Sequence, residues 1–180
     1  MRKVVHKLFF IWDYEKEEEW LNEMAARGLS LISVKLLTYE FENTLPGEYH
    51  VCLQVLAHTL RHPETENYIH FLEETGVQHV GTCVRQAYFR KKAADGPFEL
   101  FSDNVSRIKH LNHIITLLAI LLMPNISNLC NQIFIYIRYG YFVNLFALTS
   151  CAFVIGLLIA GIIRLSLKKK KLKEEQQIFE

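Results

Sequence analysis

A chain of 180 residues holds one compact domain and a short membrane segment, and a formal net charge of +1 leaves no basic excess for a nucleic-acid backbone. The charges are segregated: nearly all the acidic residues precede Asn104, while Leu111 to Ile163 carries one charge, Arg138. Four cysteines (Cys52, Cys83, Cys130, Cys151) without a CxxC pair read as reduced apolar fillers, with no disulfide framework and no zinc site expected.

Met1-Arg2-Lys3 is followed by an apolar run that His6, Lys7, Asp13 and Glu15 interrupt, so no signal peptide is expected and the N-terminal domain belongs in the cytoplasm. Val4 to Trp12 reads as a strand. Asp13 then caps a helix in which Trp20, Leu21, Met24 and Ala25 recur at helical spacing, and Gly28 closes it at C′. Leu29 to Glu42 reads as one long strand, with Leu37, Tyr39 and Phe41 on one face. A turn at Asn43 to Gly47 leads to a returning strand, in which Tyr49, Val51, Leu53 and Val55 alternate with polar positions. Pro63 opens a second helix at N1, with Glu64 and Glu66 in its first turn, a stripe of Tyr68, Ile69 and Leu72, and Gly76 at its end. Gln78 to Arg90 makes the last strand.

The expected class is therefore α+β, a ferredoxin-like βαββαβ cytoplasmic domain over residues 1–94. A weak internal repeat accompanies it. Trp20 and Tyr68 each precede a glycine, Gly28 and Gly76, by eight positions, and Phe41 and Phe89 follow those glycines at equal distance.

Residues 95–107 form a juxtamembrane strap instead of a polar tether. Pro97 stiffens it, Phe98, Leu100 and Phe101 call for burial, and Ser102 or Asp103 can cap the helix that follows. Residues 108–163 predict a transmembrane hairpin, with spans of about 108–129 and 141–163; an uncharged run of roughly 20 residues crosses a bilayer core only as a helix. Pro124 kinks the first span or marks its exit, and Asn128, Asn131, Gln132, Tyr136, Arg138 and Tyr139 read as an interfacial turn. His110 and His113 flank the start of the first span. Arg90, Lys91, Lys92, Arg107 and Lys109 precede the hairpin, and Arg164, Lys168, Lys169, Lys170, Lys171 and Lys173 follow it. The positive-inside bias then puts both termini, and the basic tail 164–180, in the cytoplasm of a multi-pass inner-membrane protein.

Two stretches, FFIWDYEKEEEWLNEMAARGLSL (Phe9 to Leu31) and DGPFELFSDNVSRIKHLN (Asp95 to Asn112), resemble an uncharacterised bacterial family, domain of unknown function 2812. The resemblance implies a cytoplasmic domain followed by one or more membrane helices. Members often lie beside PadR-type transcriptional regulators, which implies a role in signalling or envelope response.

Of the candidate sites, the acidic run Glu15, Glu17, Glu18, Glu19 and Glu23 reads as the solvated face of its helix. His58 and His62 stand four apart, but Pro63 disfavours helix at His62 and no third ligand is offered nearby, so no metal site is expected. Trp12, Trp20, Tyr39, Phe41, Tyr49, Tyr68, Phe71, Tyr88 and Phe89 read as core, or as the lining of a pocket between sheet and helices. Arg164 and Lys168 to Lys171 anchor the chain on the lipid bilayer. No P-loop, GxGxxG, GxSxG or HExxH is present, so neither enzyme chemistry nor a cofactor is expected. The sequence points instead to a membrane-anchored regulatory or adaptor protein that binds a protein partner or small ligand and not nucleic acid. Its alternative is an accessory subunit of a transporter or envelope complex. Pro97, Phe98, Leu100, Phe101 and Asp103 are the candidate coupling surface.

Overall fold

Both segments that the alternation reads as single long strands fold back on themselves as hairpins. The computed structural model describes residues 2–98, 100, 104–140 and 145–178, in two units, Met1–Ser102 and Asp103–Glu180. Unit one runs β1 (Arg2–His6), α1 (Tyr14–Ala26), β2 (Leu29–Lys35), β3 (Thr38–Asn43), β4 (Tyr49–Val55), α2 (Pro63–Glu74), β5 (Gln78–Cys83) and β6 (Gln86–Lys92). The strands form two antiparallel three-stranded sheets of order β1-β3-β2 and β4-β6-β5. The domain is thus α+β, but it traces βαββ twice where βαββαβ was expected.

The internal repeat is the sequence record of that duplication. Phe41 and Phe89, both fully buried, occupy the central strands β3 and β6, paired with Leu31 and His79 on the outer strands. A register shift follows each partner, between Leu31 and Ser33 and between His79 and Gly81. At the second bulge β5 lies beside β2, and a Cβ on Gly81 would make an ordinary van der Waals contact, 3.9 Å from the Val34 nitrogen.

The turns of these hairpins carry none of the usual turn residues. They are Leu36-Leu37 and Val84-Arg85, with Leu37 at φ 63° and Val84 at φ 58°. A branched side chain in the left-handed region is strained, and Val84 is 87% exposed, so packing gives nothing in return. The first strand also ends early. After His6 the chain leaves the sheet, Phe9 packs 5.6 Å from Trp20, and Phe10 stacks on Trp12 at 4.7 Å. Lys7 lies over the Phe9 and Trp20 rings at 4.7 and 4.4 Å.

Helix α1 stops where expected, with Gly28 at φ 80° beyond its last turn. Gly28 also carries the turn before β4, for its carbonyl accepts from Thr44 N at 2.9 Å. A Cβ there would sit 2.9 Å from the Thr44 carbonyl oxygen.

Unit two is a pair of packed helices, α3 (Asn104–Tyr139) and α4 (Leu145–Ile178). At 36 and 34 residues they are about 54 and 51 Å long, long and apolar enough to cross a membrane. Buried positions recur at sevenfold spacing, Leu111 and Leu118 on α3 and Cys151, Leu158 and Leu165 on α4. The polar aromatic stretch from Asn128 to Tyr139 is helix, not turn, and Pro124 lies inside α3. Asn128 Nδ2 donates to Cys151 Sγ at 3.3 Å and Asn125 to the Leu121 carbonyl at 2.9 Å, so these two amides find partners within the hairpin. His110 is buried on α3.

Two left-handed positions should respond with opposite signs. Val84→Asn stabilises the domain by about 1 kcal/mol by relieving backbone strain. Gly28→Ala destabilises it by more than about 1 kcal/mol, since it adds a backbone clash to the strained φ. Both tryptophans, Trp12 and Trp20, lie in unit one, so fluorescence-detected melting of the full-length protein in detergent reads its stability directly.

Candidate functional site

Strand β6 is the hub, because alternation gives it two different faces. Gln86, Tyr88 and Arg90 point toward the first half of the domain, and Ala87 and Phe89 point away from it.

The first face meets α1 across a polar seam. Glu17, 2% exposed, accepts at Oε1 from the Tyr39 hydroxyl (2.6 Å) and the Tyr88 hydroxyl (2.7 Å), and at Oε2 from Gln86 Nε2 (2.8 Å). Leu21, Met24, Leu31, Val34, Phe41, Val51 and Leu53 form the apolar cluster to which Tyr39 and Tyr88 also belong. Glu17 is therefore not part of a solvated helix face, as the acidic run suggested. Nor is Glu18, whose Oε2 accepts from Leu53 N at 2.7 Å. Asn22 grips the same strand twice, donating to the Val51 carbonyl at 2.8 Å and accepting from Val51 N at 2.9 Å. Since β4 is an edge strand, these α1 side chains satisfy backbone groups that no neighbouring strand reaches.

Arg90 closes the far end of the seam. Its Nη1 donates to Ser30 Oγ (3.1 Å), the Leu31 carbonyl (3.0 Å) and Glu42 Oε1 (2.9 Å), while Nε donates to Gln78 at 2.8 Å and the guanidinium lies 4.6 Å over Tyr49. Its charge, counted above among the basic residues flanking the membrane, serves the interior of the domain instead.

Burial, reinforced by the Glu17 carboxylate, drives the Tyr39 and Tyr88 hydroxyls well above the usual phenol range. Burial, and then Glu17, also raises the Cys83 thiol. All three groups are held protonated, so the seam fastens the two halves together and prepares none of these groups as a nucleophile.

The second face of β6 carries the other apolar cluster, Leu56, Val77, Ala87 and Phe89. Tyr68, Ile69 and Leu72 of α2 pack on it, and so do Phe98 and Leu100 of the strap. Tyr68 donates to Gln54 Oε1 at 2.7 Å and the Cys52 thiol to the Phe98 carbonyl at 3.2 Å. Pro97 is exposed, and Phe101, Ser102 and Asp103 lie outside the described residues. Of the aromatics, Tyr39, Phe41, Tyr88 and Phe89 are core, whereas Phe71 is 61% exposed on α2. Arg164 and Lys168 to Lys171 lie on α4 after its apolar run, with Lys170 3.8 Å from Glu174. His58 and His62 do come together, and Glu64 joins them.

A duplicated βαββ domain that leads through a docked strap into two membrane-length helices defines the class. The family described as protein of unknown function (DUF2812) matches residues 13–123, and the chain belongs to that family. The match takes in the seam, the strap and α3 as far as Met123. No curated protein and no solved structure matches the chain.

The seam makes the domain sensitive to alkali. The folded-state pKa values of Tyr39 and Tyr88 lie above the unfolded value of 10.0, so stability is fully present below pH 10 and is lost as pH rises beyond it. Two such groups give a slope approaching about 2.7 kcal/mol per pH unit. Tryptophan-detected melts between pH 8 and about 11 should show this fall, and a Tyr39→Phe/Tyr88→Phe variant should flatten it. At neutral pH, Tyr88→Phe alone costs about 1.5–3 kcal/mol, as for a hydrogen bond to a charged acceptor.

Proposed function

We propose that the chain is a membrane-anchored regulatory or adaptor protein, whose cytoplasmic domain binds a protein partner or small ligand and is carried on a two-helix transmembrane hairpin. The docked strap supports this reading most. Phe98 and Leu100 pack on the second half of the domain, and α3 begins at Asn104, so few residues separate domain core from long helix. A tether that only held the domain near the membrane needs no such docking. The span of the family match, from α1 into α3, fits a domain and helix that work as one unit.

On this reading the two βαββ halves elaborate the ferredoxin-like split βαβ plan, with a strand of each half doubled into a hairpin. Arg107, Lys109, Arg164, Lys168 to Lys171 and Lys173 outweigh Arg138, which supports a cytoplasmic position for both ends of the hairpin even with Arg90 assigned to the domain interior. The basic run on α4 then holds anionic lipid headgroups at about 1 kcal/mol per residue near the surface. The activity is binding, not catalysis.

The experiment has two arms. Single cysteines at residues 2 and 176 of a cysteine-free variant should be labelled only from the cytoplasmic side of sealed vesicles; labelling of either from outside rejects the topology. For the strap, a Phe98→Ala/Leu100→Ala variant should remain inserted, at a cost of about 1–3 kcal/mol per half-buried side chain, and lose the partner that co-purifies with the wild type. If the domain is destabilised yet the partner stays at wild-type level, the strap only fills space. A stoichiometric integral-membrane subunit as that partner moves the protein to the accessory role.

A further inference from the structure

His58 and His62 meet without a helix between them. Pro63 keeps His62 extended, at φ −81° and ψ 132°, as the N-cap of α2, so the pair stands in a loop. The loop nonetheless stacks the two imidazoles at 4.0 Å and 16°, and α2 brings Glu64 to them from its first turn. His58 Nε2 lies 3.2 Å from Glu64 Oε2, and one ligand atom from each of the three residues falls within 4.8 Å of the others.

We propose that His58, His62 and Glu64 form a binding site for a late first-row divalent cation of the Zn²⁺ class. Two imidazole nitrogens and one carboxylate oxygen are a borderline donor set that suits Zn²⁺, Co²⁺ or Ni²⁺, whereas Ca²⁺ and Mg²⁺ ask for oxygen throughout. Tetrahedral zinc with bonds of about 2.0–2.1 Å holds its ligands about 3.3–3.4 Å apart. The His58–Glu64 separation of 3.2 Å is already at that spacing. Parallel rings cannot both point at one ion, so loading turns one imidazole out of the stack. The side chains of His58 and Glu64 are 47% and 75% exposed, which leaves them free to turn and leaves solvent access to the ion. Three protein ligands keep a coordination position open for water or for a group from a partner.

The site is linked to α2 by proton bookkeeping on one ring. His62 Nδ1 accepts from the Glu64 amide at 3.3 Å, capping the helix. If the metal takes the Nδ1 lone pair, the cap is lost. If it binds Nε2 instead, the ring proton moves to Nδ1 and the cap is lost as well. Occupancy therefore changes the first turn of α2, the helix that shares the Phe89 cluster with the strap.

The test uses the untagged full-length protein in detergent, titrated with Zn²⁺ alone in a calorimeter and with Co²⁺ in an optical spectrometer. One ion per chain at micromolar affinity is expected, without the intense thiolate-to-cobalt bands that would implicate a cysteine. His58→Gln and Glu64→Gln should each weaken binding at least about tenfold and keep the wild-type tryptophan melt, since neither removes the His62 cap. His70→Gln, at the other end of α2 where His70 pairs with Glu74 at 3.3 Å, should bind as wild type. Absence of saturable binding at micromolar metal, wild-type affinity in either ligand variant, or equal weakening by His70→Gln overturns the proposal.

Discussion

A carboxylate moved from water into an apolar layer loses several kcal/mol of solvation unless donors replace the water, and Glu17 obtains its replacement from three directions. Tyr39 comes from its own half of the domain; Gln86 and Tyr88 come from the other. Separating the halves would strip the carboxylate of two donors while the surrounding leucines and valines remained. Removing Glu17 would leave two phenols and an amide without an acceptor. The network therefore specifies one docking of the halves more sharply than apolar contact does, because a slip of one residue along β6 replaces Tyr88 with Ala87 or Phe89. The grip of Asn22 and Glu18 on β4, and of Arg90 on Ser30, Leu31 and Glu42, fixes the same register from the two ends.

That constraint explains why β6 is polar on one face and apolar on the other, and why the strap docks where it does. Tyr88 is tied to Glu17, and Phe89, the next residue, lies under α2 and the strap. A shift of the seam moves Phe89 with it, since adjacent residues on a paired strand cannot slide independently. On the function proposed above, a partner bound on either side of the second sheet would act on one shared strand. This rigid element is the physical content of the coupling proposed above.

Much of this was legible in the sequence. The helix ends were, because Gly28, Pro63 and Gly76 are residues whose backbone preferences leave little choice, and so was the division into a charged domain and two apolar helices. The 48-residue offset from Phe41 to Phe89 already recorded a duplication. What was not legible has specific causes. The hairpins were hidden because Leu36-Leu37 and Val84-Arg85 begin with apolar residues common in strands and contain no glycine, asparagine or aspartate. Glu17 was hidden because it stands among other glutamates, and helical spacing distinguishes faces only when their compositions differ. The signal that could have found it lies in its spacing to Leu21 and Met24, four and seven positions on, which places it on the apolar stripe. In the sequence Glu64 reads only as a favourable charge in a first turn, because nothing in the spacing shows that the loop brings His58 to within 3.2 Å of it.

The two helices of the domain are unequal, and the inequality divides labour between them. Helix α1 buries Glu17, Leu21, Met24 and Ala25 and ties itself to both sheets. Helix α2 buries Thr65 alone, with Tyr68, Ile69 and Leu72 only partly covered and Phe71 exposed. Local opening follows the weakest burial, so α2 and its cap open at a lower free energy than α1 and the seam. A helix that moves cheaply and lies on the same apolar cluster as the strap is where a ligand of modest affinity has leverage, because the shift it causes is limited by its own differential binding. The fixed half holds the register, and the loosely held helix, with the histidine loop at its start and the strap beside it, is where the proposed binding event would act on the strap.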